Sequence, residues 1–400
     1  MNIKEVRAAL IDIAPRPMTK PRFPRRAGAE FISPMSRYSA FKGRRGHWAP
    51  GNKWKRVGCI VTAEDGTWGF GMSLYGGPVS SIINDHFAPL LVGENCMATE
   101  KMWDIMNRVA SPYSPMGIAS YAISAVDLAL WDLKGKLLKR PVYELLGGPQ
   151  KTDIFCYASN TDISYGYENS IRWCRELGFK ATKVFVEHDP AERLEGLRKN
   201  EEMVAKAREI VGDDVELAVD CWMSLDIEYS VRLLEALKPY RIKWLEDYLA
   251  PEDMNGYARV RERVPWQTLA TGEHWYTPHP FATAANQGLV DILQPDISWT
   301  GGITCALRIC HIAEANGLSV ITHAGMNYPW GQHLALAMSV IPWGERSEGV
   351  SPPGVPLEEM VLLPGTSVIK NGRVAPSDAP GFGLGITKDW LEAAAARARR

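Results

Sequence analysis

Six residues in the second half of the chain fall at nearly even intervals: Asp220, Glu246, Glu273, Asp296, His323 and Glu345, separated by 26, 27, 23, 27 and 22 positions. The first five each end a short apolar run, in "VELAVD", "IKWLED", "QTLATGE", "VDILQPD" and "LSVITH", and Glu345 lies in the segment after. A (β/α)₈ barrel of about 250 residues repeats every ~30, so side chains spaced this way stand at one height around the mouth where barrels build active sites. Singly, each has a plainer reading: Asp220 or Asp296 as the N-cap of a following helix, Glu246 beside Asp247 as a solvated loop charge, His323 as a satisfied buried histidine. Jointly, three carboxylates delivered by consecutive strands to one mouth repel one another unless a cation lies between them.

An all-oxygen set without cysteine suits Mg²⁺, or Mn²⁺, better than Zn²⁺. Such an ion acts as a Lewis acid, polarising a substrate carboxylate so that the proton on its α-carbon can leave to give an enediolate. His323 supplies a base one strand past Asp296, whose carboxylate on the far ring nitrogen would fix the imidazole tautomer.

These residues need strands to carry them. From residue 154 onward, short β-rich runs ("IFCYAS", "ATKVFV" and the five above) alternate with amphipathic helical stretches. That alternation predicts a parallel sheet, and so many units favour a closed barrel over an open doubly wound sheet. No GxGxxG follows the first strand, which removes support for a dinucleotide fold. Before residue 154, Asp65-Gly66 sits between alternating apolar runs and predicts a hairpin in an antiparallel sheet. Residues 14–54, rich in Pro, Gly, Arg and aromatics, read as disordered or as a working loop over a site. The tail from about 355 carries a second hairpin signal, Asn371-Gly372, and is expected to return to the N-terminal sheet. The closing "LEAAAARARR" is a helix former, basic toward its C-terminal end.

Composition excludes several classes. With 45 basic and 46 acidic residues the net charge is -1, leaving no broad basic face for nucleic acid. No stretch approaches the roughly 18 apolar residues of a membrane span, so a soluble, cytoplasmic protein is expected. Seven scattered cysteines without a CxxC pair argue against a disulfide framework or a zinc knuckle.

Longer motifs now become readable. "SAVDLALWDLKGKLLKRPVYELLGG", the Asp220/Glu246/Glu273 spacing, "DILQPD" followed by "GGIT", and "VITHAG" resemble the enolase superfamily, in its mandelate racemase-like branch. "SPMSRY", "LAVDCWMS", "KWLED", "TGEHW" and "QPDISWTGG" are most similar to the L-rhamnonate dehydratase subgroup. The resemblance implies a modified (β/α)₇β barrel over 126–354 under an α+β capping domain built from residues 1–125 and the tail 355–400. It implies Asp220, Glu246 and Glu273 as Mg²⁺ ligands, His323 with Asp296 as the base, and Glu345 as the partner of the enolate oxygen. Arg45, Lys183 and His274 are the implied substrate contacts, and a homo-oligomer is suggested.

Racemases of this branch place a second lysine in a Lys-x-Lys on the second strand. Here "TKVFV" keeps Lys183 and has Phe185 at the other position, so loss of water from an aldonic acid is expected over two-sided proton exchange. Rhamnonate dehydratases also carry a histidine before the "SPMSRY" equivalent, and "RFPRRAGAEFISPMSRY" has none. L-lyxonate and L-mannonate therefore stand beside L-rhamnonate as substrates. A racemase or epimerase of the branch and a catalytically silent sugar-acid-binding barrel are the competing readings.

Overall fold

A computed structural model describes the chain apart from residues 15–17, 26–31, 42–53, 160–162, 348–349 and 400. The N-terminal sheet is antiparallel, in the order β1 (Ile3–Ile11), β2 (Arg56–Ala63), β3 (Trp68–Ser73). The expected Asp65-Gly66 turn joins β2 to β3: Gly66 takes φ +86, and Thr67 N donates to Asp65 Oδ1 at 2.9 Å. A helical stretch over residues 76–91 follows, and then the longer helices α1 (Thr99–Ala110) and α2 (Ile118–Leu138). Helix α2 lies directly on β3 because two glycines let it. A Cβ at Gly71 would stand 2.1 Å from the Ala125 carbonyl oxygen, and one at Gly69 would stand 2.0 Å from that of Ala129. The helix is apolar nearly all round and buried along most of its length, as a helix covered on every side should be. The 125/126 division expected between cap and barrel falls inside it.

The barrel then runs β4 (Ile154–Ser159), α3 (Tyr167–Glu176), β5 (Ala181–Phe185), α4 (Arg193–Val211), β6 (Glu216–Asp220), α5 (Ile227–Leu237), β7 (Leu245–Glu246) and α6 (Met254–Arg263). It continues with β8 (Leu269–Thr271), α7 (Pro278–Asn286), β9 (Ile292–Leu293), α8 (Gly302–Ala315), β10 (Ser319–Val320), α9 (Pro329–Ala337) and β11 (Trp343–Arg346). Among the described residues this is the (β/α)₇β order: parallel strands 10-9-8-7-6-5-4-11, each joined to the next by a helix. A backbone bond from Val320 N to Val340 O (2.9 Å) spans the seam between β10 and β11.

Strand alternation selects the barrel interior. Tyr157, Ala181, Ala218, Trp244, Ala270, Ile292 and Ile321 form one buried cluster, with Phe155 and Trp343 against it. The three alanines make room for large rings: Tyr157 and Trp343 lie 5.3 and 5.7 Å from Trp244 between ring centroids. This layer is the floor of the site.

The tail departs from expectation. Asn371 and Gly372 do form the turn, both with positive φ (50 and 70). However, β12 (Arg373–Val374) pairs antiparallel with barrel strand β4, not with the N-terminal sheet. On its β5 side, strand β4 pairs only through Ala158 and Ser159, and β12 covers the earlier residues Ile154 and Phe155 there. Helix α10 (Lys388–Ala398) does return to the N-terminal sheet, where Asp12 N donates to Ala394 O at 3.0 Å and Arg397 Nε donates to Asp12 O at 2.9 Å. All seven cysteines are free and buried. No helix among the described residues is long and apolar enough to cross a membrane.

Candidate active site

Two residues beyond each floor position, the same strand face delivers the next layer upward. Lys183 follows Ala181, Asp220 follows Ala218, Glu246 follows Trp244, His323 follows Ile321 and Glu345 follows Trp343. Glu273 is out of phase, being three past Ala270. Gly272 supplies the correction: at φ +135 it turns the chain, and a Cβ there would strike the Phe281 ring at 2.7 Å. Glu273 thereby joins the others, and one oxygen from each of Asp220, Glu246 and Glu273 lies within 4.8 Å of the rest. All three side chains are at most 4% exposed.

Non-glycine residues in the left-handed region cluster just past these strand ends: Trp222 (φ 39), Met223 (φ 62), Asp247 (φ 48) and Ala324 (φ 50). Such strain persists where the surroundings over-determine the backbone, as at a working site.

Lys183 occupies the base of the carboxylate ring, 1% exposed. Its amine donates to Glu246 Oε1 and lies 2.9 Å from Asp220 Oδ2 and 2.8 Å from Glu345 Oε1 as an ion pair with each. Burial opposes its charge, but Asp220, Glu246 and Glu345 outweigh burial and hold the ammonium protonated well beyond the ordinary lysine range. The amine, expected as a substrate contact, is thus engaged by three carboxylates of the ring. The other oxygen of Glu246 accepts from the Trp244 indole N–H at 2.8 Å. Burial raises Asp220 and Glu246 despite Lys183, and neighbouring carboxylates add to the rise. Such a surplus of buried negative charge is what a divalent cation relieves.

Glu345 goes the other way. Burial pushes its carboxyl up, but Lys183 and then His323 bring it down to about 2. Its second oxygen accepts from Ala324 N at 2.7 Å, which ties the backbone beside His323.

The structure brings His323 and Asp296 into contact: His323 Nδ1 lies 2.8 Å from Asp296 Oδ2, and Nε2 lies 3.4 Å from Glu273 Oε2. Burial disfavours an imidazolium here, yet Glu273, Asp296 and Glu345 outweigh it and raise the ring well above the ordinary histidine value. A cation among the carboxylates would cancel part of the pull from Glu273 and return the ring toward its neutral, proton-accepting form.

A second pair was not foreseen. His274 Nδ1 lies 3.2 Å from Asp247 Oδ2, and Asp247 Oδ1 accepts from Thr271 Oγ1 at 2.7 Å. His274 also touches Glu273 through Oε1 at 3.5 Å, so Glu273 has an imidazole on each oxygen. A signal for this pair exists in the sequence: Asp247 precedes His274 by 27 positions, as Asp296 precedes His323. Gln294, two past Ile292 on the inner face, was also passed over. It is fully buried, and neither end of its amide has a hydrogen-bond partner. Arg45 lies outside the described residues.

Comparison with known proteins fits this geometry. The profile described as enolase C-terminal domain-like matches residues 167–390, more than half the chain. The chain belongs to the enolase superfamily. The N-terminal domain profile of mandelate racemase and muconate lactonizing enzyme matches residues 53–147 of this superfamily member. A protein of Saccharopolyspora erythraea named L-rhamnonate dehydratase is 37% identical over 362 residues, 89% of each chain. The crystal structure of a rhamnonate dehydratase from Gibberella zeae, complexed with Mg, superposes with a TM-score of 0.85 at 29% identity, over 99% of this chain and 97% of that one. A 3,6-anhydro-D-galactonate cycloisomerase from Zobellia galactanivorans matches with a TM-score of 0.76 at 25% identity, over 98% and 99%. One superfamily scaffold thus carries different chemistries, and side chains at the mouth must decide between them.

Proposed function

We propose that this chain is an Mg²⁺-dependent acid-sugar dehydratase that converts a five- or six-carbon aldonate, of the L-rhamnonate type, to a 2-keto-3-deoxy acid. The observation that carries the reading is three convergent carboxylates facing one aspartate-held imidazole, with Phe185 where a second base would stand. Asp220, Glu246 and Glu273 would hold the ion: their donor set is all oxygen, buried and short of positive charge even with Lys183 in place. When bound, the ion supplies Lewis acidity toward the substrate carboxylate.

His323, with Nδ1 engaged by Asp296, takes the proton from C2 on Nε2, the atom that here lies 3.4 Å from Glu273 Oε2. The resulting imidazolium returns that proton to the departing 3-hydroxyl, and the enol product tautomerises to the keto acid. Lys183 keeps the carboxylate ring together as an internal counter-ion. Glu345 is ionised beside Lys183, so it donates to a developing enolate only if the amine turns away and the carboxyl takes up a proton. His274, oriented by Asp247, hydrogen-bonds the substrate hydroxyls.

Screening mono-acid sugars with Mg²⁺ for 2-keto acid formation tests the reading, and no turnover of any of them would refute it. His323→Asn should lower turnover by about 10²-fold to 10⁴-fold while magnesium still binds. Running the reaction in D₂O separates the racemase alternative, which would return the inverted, deuterated acid without keto acid.

A further inference from the structure

The segment between β9 and α8 carries Asp296 at its start and then Ser298, Trp299, Gly301 and Gly302. It is a barrel loop, but the cap holds it. Ser73 Oγ, at the end of β3, donates to Ser298 O at 2.6 Å. From α1, Trp103 Nε1 donates to Gly301 O at 2.9 Å. Helix α2 grips the same turn twice: Ser124 Oγ accepts from Gly301 N at 2.8 Å, and Asp127 accepts from Thr304 N (3.0 Å) and Thr304 Oγ1 (2.6 Å). Asp127 thus caps the first turn of α8 from another part of the fold. Gly301 and Gly302, at φ +120 and +79, give the loop the backbone shape that these contacts need.

The side chain this strap presents is Trp299. Its indole centroid lies 4.9 Å from the His323 ring and 5.8 Å from the His274 ring. It also stacks on Tyr121 of α2 at 5.8 Å and 27°, and Tyr121 meets Tyr75 edge-on at 4.9 Å. Asp296 at Nδ1 and Glu273 at Nε2 hold edges of the His323 ring, but edge contacts leave the plane free to rock about the line joining them. Beside the pair lies a cavity of about 30 Å³, lined in part by Met72, Leu74, Ser298 and Tyr328. The His323 ring thus borders open space as well as the indole.

We infer that Trp299 is a positioning residue: braced by Tyr121 and by the cap's grip on residues 298–304, its indole sets the plane of His323 and the separation of the two imidazoles. The reactive geometry then belongs to cap and barrel together. This rests on the dehydratase reading only for its kinetic consequence.

The test uses the magnesium-loaded full chain with L-rhamnonate as probe, in Trp299→Leu, Trp299→Phe and Ser124→Ala. A misplacement of ~1 Å at a reacting group costs about 10²-fold in rate, so Trp299→Leu should lose about that in kcat with KM nearly unchanged. Trp299→Phe should recover most of it, and Ser124→Ala should lose a few-fold with Trp299 intact. Calorimetric magnesium affinity should be the same in all, since no ligand is touched. The second readout needs no turnover: the low-field proton resonance of His323 Nδ1–H on Asp296 should broaden in Trp299→Leu and return in Trp299→Phe. Full kcat with a sharp resonance in Trp299→Leu would overturn the inference, as would a rise in KM alone. If the wild type turns over no acid sugar yet the resonance is lost in Trp299→Leu, the dehydratase reading falls and the positioning role stands.

Discussion

Replacing Lys183 by methionine removes one buried positive charge and keeps a similar flexible stem in its channel. Three carboxylates lose their shared donor at once. Taking away one partner of a buried ion pair costs about 3–5 kcal/mol, because the other charge stays buried and uncompensated. The Glu345 carboxyl provides a second route to the magnitude. Lowered from 4.5 to about 2, chiefly by Lys183 against burial, it contributes about 3 kcal/mol of stability at neutral pH, at 1.36 kcal/mol per pH unit. That contribution is present above the unfolded value and is lost as pH falls toward 2. In the variant it disappears, and Asp220 and Glu246, already raised by burial, rise further. The stability of the variant should then fall as pH climbs from 5 to 8, because its carboxylates are relieved only by taking up protons. Urea unfolding with chelator at pH 8 should show a loss of about 3–5 kcal/mol, smaller at pH 5. Saturating magnesium should stabilise the variant at least as much as the wild type. A loss under about 1 kcal/mol at pH 8 would refute the view of Lys183 as the counter-ion of the ring.

Other expectations concern neighbouring groups. Trp244→Phe removes the indole N–H from Glu246 Oε2 and should weaken magnesium affinity about tenfold by calorimetry; unchanged affinity would leave Trp244 a packing role only. Asp127 is pushed up by burial from 3.8 to about 7, so the fold favours its protonated form and loses stability as pH rises between those values. Between pH 5 and 8 that amounts to about 3 kcal/mol, and Asp127→Asn should show a correspondingly flatter denaturation profile; identical slopes would contradict it. Phe185→Lys places a second amine near Lys183, whose Nζ lies 5.5 Å from the Phe185 ring, yet it should not create racemisation, since a base must also reach C2. Inverted, deuterated acid in D₂O would show otherwise.

Much of this architecture is legible before any coordinates. The turns Asp65-Gly66 and Asn371-Gly372 follow from residues that accept positive φ. The parallel barrel follows from alternating periods of two and 3.6, and its (β/α)₇β form from the family resemblance. The recurrence of Asp220, Glu246, Glu273, Asp296 and His323 follows from one unit of barrel per interval. Even the overlooked Asp247–His274 pair repeats the 27-residue step of Asp296–His323. Each of these signals is local, or is a fixed multiple of something local.

What only the tertiary structure decided is which distant groups meet. Strand β12 had two possible sheets to join, and nothing in its own window distinguishes an open edge on β4 from one on the N-terminal sheet. Lys183 reads as a strand residue facing inward, but the three carboxylates its amine reaches depend on barrel curvature and on the room left by Ala181 and Ala218. Asp127 and Ser124 look like polar interruptions in a buried helix until α2 is laid across the turn that opens α8. Side-chain type and period determine what a residue can offer and which way it faces, whereas the identity of its partner is set by packing between segments distant along the chain.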